Sequence, residues 1–236
     1  MNGFFTNPLI DQCFNIPTPP LTEKNLPDQT NKVVVITGGY AGVGQELGKI
    51  LYQKNATIYI AGRNADKAQI SMNATRNLFT NSKGRLEFLL LDLADLTTVK
   101  NAVETFMSKE DRLDVLVNNT GVMRPPSDSK TVQGYEQQLG TNALGHFLLA
   151  ELLVPILEKT AASAPANTVR VTWAGSLGIH MHSPPNGVSF DSNGAPELFE
   201  FQDLNYGQSK AANLLMSVEF ARRHACLLYT SPSPRD

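Results

Sequence analysis

The sequence has little cysteine and little excess charge of either sign. Its 236 residues include two cysteines, Cys13 and Cys226, which excludes a disulfide framework and a cysteine-rich zinc module and favours a reducing, intracellular setting. Twenty Lys and Arg side chains nearly balance 22 Asp and Glu, and this net charge of −2 excludes a strongly basic protein, an acidic tail protein and a coiled coil. We expect a cytoplasmic protein with no nucleic-acid partner.

Long hydrophobic runs are also scarce. Residues 1–5 contain no basic region followed by a long apolar stretch, so no signal peptide is predicted. The most apolar segment, residues 143–157, is interrupted by Glu151 and Pro155 and is shorter than a bilayer-spanning helix requires. We therefore expect a soluble protein without a transmembrane segment.

Proline and asparagine are concentrated near the N-terminus. Residues 1–31 show no sustained helical or strand period, which predicts an extended arm in which Phe4, Phe5 and Leu9 dock on the body. From residue 32 onward, short β-branched runs alternate with helical stretches, as in βαβ units around a buried parallel sheet. The length of 236 residues accommodates one large α/β domain, which we assign to residues 32–225.

Five strands and five helices alternate in this predicted domain. The strands are expected at 33–36, 57–61, 86–91, 113–117 and 168–172, and the helices at about 43–51, 66–79, 97–108, 133–157 and 207–224. In the first helix, Val43, Leu47, Ile50 and Leu51 have the spacing of one apolar face. Right-handed crossovers between parallel strands predict a Rossmann-type doubly wound sheet in three αβα layers.

A glycine-rich turn follows the first predicted strand. Gly38, Gly42 and Gly44 separate residues 33–36 from the first helix. Such a turn lets the backbone approach a pyrophosphate without an intervening Cβ atom, and the helix N-terminus supplies free N–H groups and partial positive charge. The pattern predicts a nucleotide site, although an ordinary strand-to-helix turn would also contain glycines.

Six motifs occur in one order along the chain. They are Thr37-Gly38-x-x-x-Gly42-x-Gly44, Asp92-Leu93, Asn118-Asn119-Thr120-Gly121, Asn142, Ser176 and Tyr206-x-x-x-Lys210. Over residues 32–225 the chain resembles the short-chain dehydrogenase/reductase family, in its single-domain branch. It departs at Thr120, where the family usually has alanine. A weaker resemblance, from Arg63 and the proline-rich arm, is to retinol-dehydrogenase-like proteins and fungal ketoreductases.

The Tyr206 and Lys210 side chains project from the same face of the last predicted helix. A nearby ammonium favours the phenolate, so this pair could exchange a proton with a substrate oxygen while a nicotinamide exchanges hydride with the adjoining carbon. Ser176 follows the fifth strand, where its hydroxyl could steady that oxygen. The resemblance implies that Lys210 also holds the nicotinamide ribose and that Asn142 bends its helix and supports a proton-relay water. The predicted catalytic set is Asn142, Ser176, Tyr206 and Lys210.

Arg63 follows the second predicted strand, where an Asp or Glu would bind the ribose 2′-OH of NAD(H) and repel a phosphate. A guanidinium suits a 2′-phosphate, which favours NADP(H); a solvated surface arginine is the alternative, and Asp66 lies close by. The resemblance implies adenine contacts from Asp92 and Leu93. Cofactor binding is predicted for Gly38, Tyr40, Ala41, Gly42, Val43, Gly44, Arg63, Asp92, Leu93, Asn119, Gly121, Tyr206 and Lys210.

The histidines give no sign of a metal site. His146, His180, His182 and His224 lack metal-ligand spacing with carboxylates, so no metal is predicted. Trp173 is expected in the core. The polar insertion at residues 180–201 could help to shape the substrate site.

The resemblance stops near residue 225. Family members continue with further strands and a substrate lid, whereas residues 226–236 resemble a translated sequencing adapter. We therefore expect a non-native tail, an incomplete domain whose last strands are missing, and an open sheet edge that could leave this chain inactive.

The predicted activity is hydride transfer between NADP(H) and a small carbonyl or alcohol substrate, with Tyr206 as general acid and base. A non-catalytic NADP(H)-binding sensor or scaffold of the same fold is the alternative. Family analogy also predicts dimers or tetramers formed through the helix at 133–157.

Overall fold

The computed structural model describes residues 18–224. Phe4, Phe5 and Leu9 of the expected arm, both cysteines and residues 226–236 lie outside the described residues. The described part of the arm contacts the domain at one turn, where the Gln29 amide donates to the Lys54 carbonyl at 2.7 Å and Asn55 Nδ2 donates to Asp28 Oδ1 at 2.6 Å.

Five parallel strands form one sheet. They are β1 (Val33–Thr37), β2 (Thr57–Gly62), β3 (Arg85–Leu90), β4 (Val115–Asn118) and β5 (Arg170–Trp173). Their order is β3-β2-β1-β4-β5, so the chain reverses its direction of winding between β1 and β4. This topology confirms the predicted Rossmann-type doubly wound fold, and it leaves a crevice at the carboxyl ends of β1 and β4. Within the described residues, β5 is an edge strand.

Six helices are described alongside the sheet. They are α1 (Gly42–Gln53), α2 (Ala65–Leu78), α3 (Leu96–Met107), α4 (Gln137–Ser163), α5 (Gly178–His182) and α6 (Gln202–Arg223). The sequence did not predict α5, and α6 begins five residues before the expected start at Gly207. Residues 140–144 of α4 form a π-helical turn.

The two faces of the sheet bury alternate residues of β1. Val33 and Val35 pack with α3, α4 and α6, whereas Val34 and Ile36 pack with α1 and α2. Since successive side chains of a strand project to opposite faces, a continuous apolar strand is required where helices cover both faces. The three-layer αβα arrangement follows.

The buried side of α1 differs from the expected one. Val43 is 80% exposed, because it lies in the first turn of the helix, beyond the end of β1. The buried residues are Gly44, Gly48 and Tyr52, which recur every four residues. Two glycines and Tyr52 therefore form the side of α1 that faces the sheet, and Leu47 is only partly buried.

Helix α4 extends beyond the predicted apolar segment to 27 residues, and by length and composition it could cross a membrane. Within the protein, however, 61% of its most apolar window is buried. Leu149, Leu153 and Leu157 are almost fully enclosed between the sheet and the neighbouring helices. This packing makes α4 a core helix of the domain.

Candidate active site

A cavity of about 390 Å³ opens at the crevice between the ends of β1 and β4. Nine of the residues predicted to bind the cofactor line it: Gly38, Tyr40, Ala41, Gly42, Arg63, Asp92, Leu93, Asn119 and Gly121. The lining also includes Gly62, Thr120, Val122, Gln137 and Thr141, which were not predicted. The other four predicted residues, Val43, Gly44, Tyr206 and Lys210, are not part of the lining. Val43 is exposed to solvent and Gly44 is buried beneath the turn.

The glycine-rich turn has a backbone that suits glycine. Gly38 and Gly42 have φ angles of 66° and 56°, in the left-handed region where a side chain is strained. A Cβ atom on Gly44 would lie 2.6 Å from Asn119 Nδ2 and 2.9 Å from the Gly38 carbonyl oxygen. The turn is therefore packed tightly against the loop that follows β4.

The first turn of α1 faces this cavity through Gly42. Its N-cap residue, Ala41, makes no side-chain capping bond, and the first turn contains no acidic side chain. The first N–H groups of a helix have no partner within the helix, and they carry partial positive charge. An anionic pyrophosphate suits this position, so the residues present fit a dinucleotide cofactor.

Replacing Gly44 with alanine should weaken cofactor binding. The new methyl group would displace the Asn119 amide, which donates to the Thr37 carbonyl at 2.9 Å. We expect the Kd for a dinucleotide, measured by isothermal titration calorimetry with NADH and with NADPH, to rise about tenfold, with a loss of about 1–3 kcal/mol in unfolding free energy from overpacking.

Gly48 provides a matched control on the same helix, one turn further along. A Cβ atom there would meet only Ile36 Cδ1, at 3.9 Å. Gly48→Ala should leave the Kd unchanged and stabilise the protein by about 0.5–1 kcal/mol through helix propensity. Equal Kd values for the Gly44→Ala variant and the unsubstituted protein would show that the tight turn is not needed for binding.

Thr37 holds the ends of β1 and β4 together. Its Oγ1 accepts the backbone N–H groups of Asn119 and Thr120, each at 2.9 Å. Because the residues around both strand ends line the cavity, this side chain fixes one wall of the cavity relative to the other.

Asn142 is fully buried in the π-helical turn of α4. Its Oδ1 accepts from the Val122 amide at 2.8 Å, and its Nδ2 donates to the Val122 carbonyl at 3.0 Å and to Ser209 Oγ at 3.0 Å. Ser209 Oγ in turn donates to the Tyr206 carbonyl at 2.8 Å. Asn142 thereby connects the loop after β4 to the Tyr206-x-x-x-Lys210 segment.

Lys210 is buried next to the cavity. Its Nζ donates to the Ala174 carbonyl at 2.9 Å, and it would lie 3.5 Å from a Cβ atom on the cavity-lining residue Gly121. Asn142 Oδ1 would lie 3.6 Å from the same atom. Burial lowers the pKa of Lys210, because a low-dielectric environment disfavours the ammonium.

Tyr206 and Ser176 meet at Gly178, the first residue of α5. A Cβ atom on Gly178 would lie 3.0 Å from Tyr206 Cε1 and 3.2 Å from Ser176 Oγ. Ser176 Oγ also accepts from the Gly178 amide at 3.0 Å. Lys210 Nζ is 6.0 Å from the centre of the Tyr206 ring. The structure thus groups a phenol, a hydroxyl and an ammonium, of which the ammonium lies beside the cavity-lining residue Gly121.

An ion pair attaches the start of α6 to the loop after β4. Arg124 binds Asp203 through two hydrogen bonds of 2.6 and 2.7 Å, and it holds the pKa of that carboxyl below its usual range. Gln138 accepts the Arg124 amide at 3.1 Å and donates to the Gln202 carbonyl at 3.1 Å. These contacts orient the helix that carries Tyr206 and Lys210.

Sequence reasoning missed the residues that support the site. Thr37 and Ser209 lie within predicted motifs, and His146 lies four residues after Asn142, a spacing that places two side chains on one helical face. Trp173 packs edge-on against Phe220 with ring centres 5.3 Å apart, in the core region where it was expected. Across residues 18–224, no group of three His, Cys, Asp or Glu side chains is arranged to hold a metal ion.

Comparisons with known proteins agree with this geometry. Residues 32–171 match the family model described as short chain dehydrogenase. A short-chain dehydrogenase/reductase of Phomopsis amygdali is 45% identical over 87% of this chain, and the homologue pkfC of Emericella nidulans is 44% identical over 87%. The chain spans 61% and 65% of the lengths of these two relatives.

A solved structure has a similar fold. The crystal structure of an uncharacterized protein from Mycobacterium paratuberculosis has a TM-score of 0.68 and 31% identity, covering 87% of this chain and 67% of the other. One conclusion follows from the matched family, the relatives, the parallel sheet and the glycine-rich cavity. This chain belongs to the short-chain dehydrogenase/reductase family, whose members bind a nicotinamide cofactor.

Proposed function

We propose that the protein is an NADP(H)-dependent oxidoreductase that interconverts the carbonyl and alcohol groups of a small or lipophilic molecule. The observation that carries this proposal is the position of Lys210 beside the cavity-lining residue Gly121, with the Tyr206 ring centre 6.0 Å from Lys210 Nζ and with Ser176 next to that ring at Gly178. A phenol and an ammonium adjacent to a dinucleotide site are suited to proton transfer at a substrate oxygen.

In this mechanism, Tyr206 donates a proton to the substrate oxygen during reduction and removes it during oxidation. The Lys210 ammonium stabilises the phenolate, and the Ser176 hydroxyl donates a hydrogen bond to the same oxygen. Asn142 holds the loop after β4 against the helix that carries Tyr206. The bound nicotinamide supplies or accepts the hydride.

The end of β2 supports a preference for NADP(H). Arg63 lines the cavity directly after this strand, and a guanidinium can bind a 2′-phosphate with two parallel hydrogen bonds. The Tyr40 ring lies against Gly62, the last residue of β2, so that any side chain at position 62 would displace the ring. An acidic side chain at position 62, next to Arg63, would therefore require the Tyr40 ring to move.

Arg63→Asp should reverse the preference between the two cofactors. Loss of a charge-assisted pair and gain of a repulsive carboxylate should raise the Kd for NADPH about 10²-fold, since each such hydrogen bond contributes about 1.5–3 kcal/mol. The Kd for NADH should stay the same or fall. Titration calorimetry with both cofactors measures the change.

Lys67→Asp makes the same change of charge in the first turn of α2, outside the cavity lining. It should alter neither Kd by more than about twofold, because Lys67 does not line the cavity. If Arg63→Asp left both Kd values unchanged, Arg63 would have no role in choosing the cofactor.

The activity is tested by NADPH oxidation across a panel of aldehydes and ketones, with NADH as the control and with protein expressed from the complete gene. We expect turnover that is faster with NADPH. Tight NADPH binding without oxidation of any carbonyl would instead favour a non-catalytic sensor. We further propose that the protein acts in the cytoplasm and that copies associate through α4, as family analogy suggests.

A further inference from the structure

His146 is a fully buried histidine. It contacts Thr37, at the end of β1, and Asn142, which holds the loop after β4 against α6. It lies in α4, immediately after the π-helical turn. Its Nδ1 is 2.9 Å from the backbone oxygen of Asn142, and its Nε2 is 2.9 Å from Thr37 Oγ1. Both ring nitrogens are therefore paired, and neither partner lines the cavity between the ends of β1 and β4.

One arrangement of protons satisfies these contacts. A carbonyl oxygen can only accept, so Nδ1 must carry the hydrogen and Nε2 must accept one. Thr37 Oγ1 already accepts two backbone N–H groups, which leaves its own hydrogen to donate. His146 Nε2, at 2.9 Å, is nearer to that hydroxyl than the Val117 carbonyl, at 3.4 Å.

The neutral imidazole is also the form that burial favours. Desolvation and the nearby Lys210 charge lower the pKa of His146 to about 4, although its bond to the Asn142 carbonyl acts in the opposite direction. A protonated ring would have two donors, and the Thr37 hydroxyl would then have to give up its role as donor to Nε2. The hydrogen-bond pattern therefore requires an uncharged ring.

The imidazole joins two groups of contacts that the chain does not connect locally. Thr37 fixes the backbone of Asn119 and Thr120 at the cavity wall. Asn142 holds Ser209, which lies between Tyr206 and Lys210. A shift of the ring would consequently move the cavity wall relative to the proton-transfer groups.

We propose that His146 is a positioning residue of the hydride-transfer reaction: as the neutral Nδ1–H tautomer it fixes the Asn142 carbonyl and the Thr37 hydroxyl, and so sets the cofactor loop relative to the Tyr206–Lys210 helix. This inference rests on the proposed function. It assigns a role to a side chain that is not part of the cavity lining.

Two amide substitutions separate the two contacts. In His146→Asn the amide Nδ2 takes the place of ring Nδ1 and keeps the bond to the Asn142 carbonyl, whereas the acceptor for Thr37 is lost. In His146→Gln the amide oxygen replaces Nε2 as the acceptor for Thr37, whereas the donor to Asn142 is lost. His146→Phe fills a similar volume and removes both bonds.

We expect His146→Asn to raise the Kd for NADPH about tenfold with kcat changed by less than threefold. His146→Gln should lower kcat about tenfold and leave Kd within twofold, and His146→Phe should show both effects. The proposal is overturned if the folded variants keep the Kd and kcat of the unsubstituted protein, or if the Asn and Gln variants change both constants in equal proportion. A purely structural histidine would alter only the free energy of unfolding.

A second measurement does not depend on activity or on the folding of a variant. The imidazole ¹⁵N spectrum of the unsubstituted protein should show a neutral Nδ1–H ring from pH 7 down to about pH 5. An Nε2–H tautomer or a charged ring in that interval would refute the proposal. If the protein bound NADPH but reduced no carbonyl, the proposed function would fail. The tautomer of His146 and the Kd of the His146→Asn variant for NADPH would still test the positioning role of His146.

Discussion

Tyr206→Phe should lower kcat by about 10²- to 10⁴-fold and leave the Kd for NADPH within twofold. The substitution removes only the phenolic hydroxyl, and general acid–base catalysis contributes a factor of this size. The phenyl ring can still pack against Gly178, and Lys210 can still donate to the Ala174 carbonyl. The cofactor cavity, which Tyr206 does not line, should stay intact.

The measurement compares steady-state NADPH oxidation with cofactor titration on the same preparations. Tyr135→Phe is the matched control, because Tyr135 is 43% exposed and lies outside the cofactor cavity. It should retain full kcat. A Tyr206→Phe variant with kcat within threefold of the unsubstituted protein would assign proton transfer to a different group.

Much of the fold could be predicted because local pattern and tertiary structure agree. The run Val33–Ile36 is apolar at every position, and the structure buries all of β1 between two helical layers. The strand ends then bring the glycine-rich turn and the Asn119 loop together at the crevice, as the topology of a doubly wound sheet requires.

The predictions differ from the structure where distant contacts decide the conformation. Helix α5 has five residues, too few for a helical period, and Gly207 of α6 packs directly on the backbone of His182 at its end. Helix α6 starts before Gly207 because Asn205 exchanges hydrogen bonds with the Phe199 backbone, at 3.0 and 2.8 Å. No local pattern indicates contacts of this kind.

The supporting residues of the site show the same limit. The contact of Thr37 with His146 joins positions 109 residues apart, and it forms only when α4 covers the end of β1. Motif spacing can nominate Asn142 or Lys210, the residues to which the proposed mechanism assigns roles. It cannot identify the buried partner that orients them, because that partner is defined by packing.

Lys210→Met is expected to lower kcat about 10²- to 10⁴-fold and to raise the Kd for NADPH about tenfold. The thioether has a similar length but no charge, so it can neither stabilise the Tyr206 phenolate nor hold the nicotinamide ribose. Stability should change little, because two effects oppose each other. Removing a buried cation favours folding, whereas leaving the Ala174 carbonyl without its donor costs about 1–3 kcal/mol.

The combined change in kcat and Kd distinguishes Lys210→Met from Tyr206→Phe, which should affect kcat alone. Lys100→Met, on the exposed face of α3, is the control for loss of a lysine charge and should behave like the unsubstituted protein. If Lys210→Met kept its affinity for NADPH while losing turnover, Lys210 would act on Tyr206 only. If Lys210→Met kept both its affinity for NADPH and its turnover, the Lys210 ammonium would have no part in the reaction, although it lies beside Gly121 and 6.0 Å from the centre of the Tyr206 ring.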